Sequence, residues 1–283
     1  MDEHLVHPIM AAEMNSDYKH CDHFRIIAPL YQNLRITDVK PVTIIAHELQ
    51  PLPAINAADI GCGTGRYTFL LFEHLREKAP IIHCIDYSTE MIKQLEQYST
   101  EHGFRASSKI QASAMSLPLR NESLNCLFTF NAIHHFGLLE FFHETARILQ
   151  DGGYLFVYTR LRSQNYRNVW GKFFPLFSSK ETRLYELGDL SEAVIKVPSL
   201  RLQKTHTFKF IRKSNLEGLI KRAQNHHYST FDLYSPGEFK TALKQFCNNL
   251  LDYFNNPDNI QWVDENILLV VRKVCQNRLQ AIP

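Results

Sequence analysis

The residues best suited to chemistry fall in one short run, Asp59-Ile60-Gly61-Cys62-Gly63-Thr64-Gly65-Arg66, between an apolar segment and an amphipathic one. Glycines at such a turn let the backbone approach a ligand and adopt torsions closed to other residues. The dinucleotide fingerprint G-x-G-x-x-G/A wants a small residue where this chain has Arg66. No Gly-Lys-Ser/Thr closes the turn, so a phosphate loop is excluded as well. Asp59, inside the strand end, would repel a pyrophosphate but suits a cationic ammonium. The turn therefore points to a nucleoside ligand without phosphates. Asp86 follows roughly twenty residues after the glycines, where doubly wound folds place the carboxylate that binds ribose. Its alternative role, capping the next helix, loses weight beside the glycine turn.

Those residues need a particular frame. From Asn56 to Thr159 short apolar runs alternate with helical periodicity, the pattern of a parallel α/β sheet. Strands are predicted at Ile55 to Ile60, Ile81 to Ile85, Lys109 to Ala112, Leu124 to Phe130 and Tyr154 to Thr159. Between them, helices carry Tyr67, Leu70, Leu71 and Leu75, then Met91, Ile92 and Leu95, then Leu138 to Leu149. Ser88 is placed as an N-cap and Gly103 as a C-cap. Upstream, Phe24, Ile27, Leu30 and Leu34 recur at helical spacing. Downstream, Leu202 to Ile211 alternates like a strand and two helical segments follow. Gln261-Trp262-Val263 and Ile267 to Val271 are predicted to form a closing hairpin around the turn Asp264-Glu265-Asn266. The expected architecture is a doubly wound, Rossmann-like α/β sheet, mostly parallel with an antiparallel C-terminal strand, plus helical lid elements. Residues 1–50 form a helical cap, 51–160 the ligand-binding core, and 161–283 the lid helices and closing strands of the same domain.

Composition narrows the function. The chain has 283 residues, 45% hydrophobic and 21% charged, which supports a full core and excludes disorder or fibrous repeats. Its formal charge of +2 exerts no global pull toward nucleic acid or an anionic membrane. Apolar runs such as Ile267 to Val271 are far below the ~20 residues of a membrane span. No secretory signal is visible at Met1-Asp2-Glu3-His4, so a cytoplasmic location is expected. The six cysteines are scattered and read as thiols. His20, Cys21 and His23 lack a second ligand pair, and no metal is predicted.

The chain resembles the class I S-adenosylmethionine-dependent methyltransferases, in particular the small-molecule group with ubiquinone/menaquinone-type and trans-aconitate-type enzymes. The resemblance rests on Ala58 to Gly65, Ile85 to Met91, Ala114-Met115-Ser116-Leu117-Pro118-Leu119, Asn131-Ala132-Ile133-His134-His135-Phe136, and Ala146 to Leu149 with Gly152-Gly153. It covers about residues 24 to 160. It implies S-adenosyl-L-methionine as cofactor. Asp59, Gly61, Cys62, Gly63 and Gly65 would hold its methionine portion, Asp86 the ribose and Tyr87 the adenine face. Ser113, Ala114 and Met115 would flank the adenine edge, Asn131 would line the pocket, and Tyr31 would close over the cofactor. Ser113 departs from the Asp of many relatives, and Asn125 from a common strand-entering Asp.

The acceptor side is less defined. His134 and His135 suit a general base, yet relatives carry this pair with diverse acceptors, which favours a role in shaping the pocket. Transfer from a sulfonium needs mainly in-line placement and exclusion of water. Segments before about residue 40 and between about 160 and 230 are expected to cover the site as mobile lids. Trp170, Phe173, Phe174 and Phe177 are read as the core of that cover. Arg160, Arg162, Arg167 and Lys172 follow the fifth strand and suggest an anionic acceptor, with Arg160 and His227 as candidate contacts. A small organic acceptor is therefore expected, and a nucleic acid is disfavoured: no Asn/Asp-Pro-Pro-aromatic motif follows the fourth strand. An RNA/tRNA methyltransferase and a non-catalytic, cofactor-binding regulatory partner are the alternatives.

Overall fold

Strand and helix formation in this chain follows from where apolar side chains can be buried. The computed structural model describes residues 23–275; His20, Cys21 and the rest of the first 22 residues lie outside it. Five strands, β1 (Asn56–Ile60), β2 (Ile81–Asp86), β3 (Ser108–Gln111), β4 (Leu124–Phe130) and β5 (Leu149–Thr159), run parallel. β1, β2, β4 and β5 are buried for most of their length, because helices cover both faces of the sheet. β6 (Leu200–Ser214) and β7 (Ile260–Lys273) complete a seven-stranded sheet in the order β3-β2-β1-β4-β5-β7-β6, with β7 antiparallel to both neighbours. Strand order reverses between β1 and β4. In open α/β sheets, ligands bind beyond the carboxyl ends of strands at such a switch point.

Helices α1 (Val39–Glu48), α2 (Arg66–His74), α3 (Thr89–Glu101), α4 (Leu138–Ile148) and α5 (Leu187–Ile195) flank the sheet. One face packs Ala58, Leu127, Phe141, Leu155 and Leu269, and the other Val42, Leu71, Phe128, Phe156 and Leu268. Ser88 caps α3, accepting from the Met91 amide at 3.2 Å, and Gly103 ends it at φ +66°. A third core sits above the sheet edge, where Trp170, Phe174, Phe177 and Phe231 pack against α6 (Leu216–Gln224) and α7 (Pro236–Tyr253). The aromatic run after β5 therefore forms a hydrophobic core of its own.

Three sequence expectations change. The closing hairpin is a single fourteen-residue strand, β7, paired along its length with β6. Asp264 and Asn266 lie mid-strand and buried because ion pairs and an amide contact satisfy them, so no turn forms. Residues 200–214 belong to the sheet and not to the cover. β5 begins at Leu149, directly after α4, where a loop was expected. Among the described residues no helix is long and apolar enough to cross a membrane, and no group of three His, Cys, Asp or Glu is placed to hold a metal.

Candidate functional site

The glycine turn leaves β1 and opens α2 as the spacing requires. Gly61 and Cys62 donate their amides to the Ile85 carbonyl at 2.8 and 3.1 Å, fixing the turn to the end of β2. Gly63 has φ +55°, and a Cβ there would meet nothing nearer than Tyr31 Cε1 at 3.9 Å, so the turn offers open space. Gly65 at φ +83° leaves no such room, since its Cβ would lie 2.2 Å from Leu95 Cδ1. It is small so that α2 can pack on α3.

Asp86 joins the turn to the next helix. Its Oδ2 accepts from the Gly63 amide at 2.8 Å and its Oδ1 from the Ser88 amide at 2.9 Å. Burial pushes this carboxyl above its usual range, while the amides of Ser88 and Gly63 pull it back. Asp59 is buried, with Oδ2 accepting from the Thr68 hydroxyl at 2.6 Å and Oδ1 without a partner. Burial pushes Asp59 up to about 7, against the Thr68 hydrogen bond and with help from the nearby Asp86 charge. Tyr87 is 62% exposed beside Asp86. The Ala112 amide donates to the Asp86 carbonyl at 3.1 Å, which brings the following loop beside β2. In that loop Ser113 Oγ accepts from the Met115 amide at 3.2 Å, Ala114 is buried and Met115 is exposed. The structure thus gathers Asp59, Gly61, Cys62, Gly63, Gly65, Asp86, Tyr87, Ser113, Ala114 and Met115 along the carboxyl ends of β1 to β3.

A separate, partly enclosed chamber of about 140 Å³ lies beyond the ends of β4, β5 and β7. Of the sequence-predicted residues it is lined by Tyr31, Asn131, His134, His135, Arg160 and His227, but not by Gly63 or Asp86. Tyr31 bridges the two spaces: it lies nearest Gly63 and carries the guanidinium groups of Arg35 and Arg66 over its ring, each at 5.2 Å. Asn131, at φ +54°, donates its amide to the Tyr158 carbonyl at 2.7 Å. His134 and His135 occupy one turn, ring centroids 4.1 Å apart, and His135 meets Phe24 edge-on.

The chamber wall carries a long-range ionic network that sequence reasoning missed. Asp264 accepts from Arg160 at 3.3 Å and from Arg212 at 3.2 Å. Arg212 also reaches Asp38 at 2.6 Å, and Tyr158 donates to Asp38 at 2.8 Å. Burial works against the Arg160 charge, but Tyr228 and Asp264 hold it firmly protonated. Opposite, Glu181 is buried, accepting from Thr230 at 2.6 Å and pairing with Arg183. Burial pushes Glu181 up, and Arg183 more than offsets that, leaving its carboxyl below the ordinary value. Arg162, Arg167 and Lys172 do not line this chamber: they pair with Asp189, Glu265 and the Tyr253 ring. Of the basic stretch after β5, only Arg160 faces inward. Arg35, Arg66 and Arg222 line the wall instead. The one sequence signal for Asp264 was length, since the ten-residue alternating run Leu202 to Ile211 needs a longer partner than a split hairpin supplies.

Residues 58–157 match the model of a family described as a methyltransferase domain. Over 134 residues, 46% of this chain, it is 28% identical to mouse tRNA (carboxymethyluridine(34)-5-O)-methyltransferase ALKBH8, but the match spans only 18% of that protein's length. The fold is similar to that of YcgJ from Bacillus subtilis, with TM-score 0.58 and 14% identity, covering 83% of this chain and 99% of the other. It is also similar to the [4+2]-cyclase SpnF, with TM-score 0.53 and 18% identity over 82% of this chain and 79% of that one. The fold alone thus leaves the chemistry open, and the family match bears on residues 58–157. Over that stretch the chain is similar to a methyltransferase domain.

Proposed function

We propose that this chain transfers a methyl group from S-adenosylmethionine to a small organic anion held in the chamber. The observation that carries the reading is the wall charge. Five arginines, Arg35, Arg66, Arg160, Arg212 and Arg222, face three carboxylates, Asp38, Glu181 and Asp264. All three carboxylates already have arginine partners. Among the described residues no carboxylate pairs with Arg35, Arg66 or Arg222, so an incoming anion would meet uncompensated guanidinium groups. The chamber's volume, about 140 Å³, is close to the ~150 Å³ that accommodates a benzene-sized ring.

The turn fits the cofactor. Gly63 leaves an uncovered backbone, Asp86 presents a fixed carboxylate for the ribose hydroxyls, and the unpartnered Asp59 Oδ1 is an acceptor for an ammonium. When bound, the cofactor supplies a methyl group already activated by its sulfonium. The protein's part is then to orient and to exclude water. Tyr31 and Asn131, at the junction of the two spaces, would fix the line of transfer, and His134 and His135 would shape its wall. Segments 24–38 and 161–184 would close over the reactants as lids.

Asp86→Ala tests the cofactor half, with Asp86→Asn as the gentler variant. Loss of charge-assisted hydrogen bonds worth about 1.5–3 kcal/mol each should weaken S-adenosylhomocysteine binding at least tenfold in calorimetry. Wild-type affinity in both variants would overturn the assignment. A second reading, in which the anion is a carboxymethyl group on a tRNA base, is favoured by the names of the curated relatives, which are all tRNA methyltransferases. Transfer of labelled methyl to bulk tRNA, and to no small carboxylic acid, would replace the first reading with the second.

A further inference from the structure

One chamber residue has chemistry that an anion alone would not use. His227 is buried against Trp170 and Tyr228, with ring centroids at 4.6 and 4.2 Å. Its Nδ1 lies 3.1 Å from the Arg222 carbonyl, which can only accept, so Nδ1 carries the proton. Burial holds the imidazole well below its ordinary pKa, and Arg35, Arg222 and Arg160 push the same way. The ring is therefore neutral, and its Nε2 offers a lone pair. That atom is not among the sealed, unpartnered polar atoms, and no described residue donates to it. Arg35 and Arg160 both lie over the Tyr228 ring next door, at 4.4 and 5.7 Å. A pure acceptor thus lines a chamber whose wall also carries the donors Arg35, Arg160 and Arg222.

We propose that the chamber selects an acceptor bearing a hydroxyl or N–H beside its anionic group, with that donor going to His227 Nε2 and the anion to Arg35 and Arg222. This rests on the anionic-acceptor reading and sharpens it. A carboxylate or phosphate alone would satisfy the guanidinium groups and leave Nε2 facing an acceptor, a mismatch that discriminates between otherwise similar ligands. His227 here is a specificity-determining residue and takes no part in bond making.

Calorimetry on protein saturated with S-adenosylhomocysteine, using benzoate, 3-hydroxybenzoate and 3-aminobenzoate as probes, tests this directly. Wild type should bind the two donor-bearing probes at least tenfold more tightly than benzoate. His227→Phe should bring the three probes to equal affinity while leaving S-adenosylhomocysteine affinity, which belongs to the glycine turn, in place. Arg222→Gln, which keeps the backbone carbonyl that orients the imidazole, should weaken all three probes together. Equal binding of the three by wild type, or an intact preference in His227→Phe, overturns the inference and leaves the anionic reading standing. Failure of every probe to bind wild type overturns both. Because the wild-type comparison needs no variant, misfolding of His227→Phe would not protect the proposal.

Discussion

The turn and the chamber recognise by different means. At the turn, Gly61, Gly63, Asp59 and Asp86 come from two adjacent strand ends, and backbone shape does much of the work. In the chamber, side chains from segments as far apart as Asp38 and Arg212 meet, and charge does the work. Backbone recognition demands particular residues at particular spacings. Charge recognition demands only that some arginine arrive at the right place, from any element. The ligand-facing positions of the turn should therefore fail mainly in binding, whereas the chamber network should fail in stability.

The largest effect expected is at Gly63. In Gly63→Val a branched side chain would enter the ligand's space from a left-handed backbone, and S-adenosylhomocysteine binding should fall below detection in calorimetry. Retained binding would mean that the turn faces another ligand. Next comes Asp264→Ala, which removes the carboxylate partner of buried Arg160 and leaves Arg212 with Asp38 alone. Breaking a buried pair costs about 3–5 kcal/mol, to be read as a lower denaturant midpoint with an unchanged slope. A midpoint equal to wild type would erase the contrast between the two regions.

The smallest effect is protonic and belongs to Asp59. Its folded carboxyl titrates at about 7, above the unfolded value, so its contribution to stability is full in acid and is lost as pH rises through about 7. Asp59→Asn should therefore gain on wild type as pH climbs from 4 toward 7. An ammonium binding at Oδ1 favours the ionised form and should release a fraction of a proton at pH 6. Calorimetry in buffers of different ionisation enthalpy would detect it. The same release in Asp59→Asn would assign the proton to another group.

The same difference explains what could be read in advance. The parallel strands, their helices, Ser88 and Gly103 were legible because hydrophobic period, caps and glycine spacing are local properties. The turn and Asp86 were legible for the same reason. Arg35 and Arg222 were not, and Arg66 was legible only as part of the turn, because an arginine resembles any solvated charge until its partners are known. Asp264-Glu265-Asn266 misled for a related reason: three polar residues between apolar runs suit a turn, and only the distant Arg160, Arg212 and Asn131 make them a strand. Arg162, Arg167 and Lys172 were sequence neighbours of Arg160 that the short helices after β5 turn elsewhere.

The ribbon of β6 and β7 runs on from the rungs it shares with β5, which end at Ile267, for seven further positions to Ile260. Alternation along that extension turns Trp262, Asp264 and Asn266 to one face and Val263 and Glu265 to the other. Inserting or deleting one residue between Asn266 and Ile267, where the rungs with β5 begin, would exchange the two sets at once. The chamber wall is in that sense a two-position dial, able to pass from an acid, an amide and an indole to a valine and a glutamate without disturbing the cofactor turn. Selectivity could then change in a single step while the methyl donor's site stayed as it was.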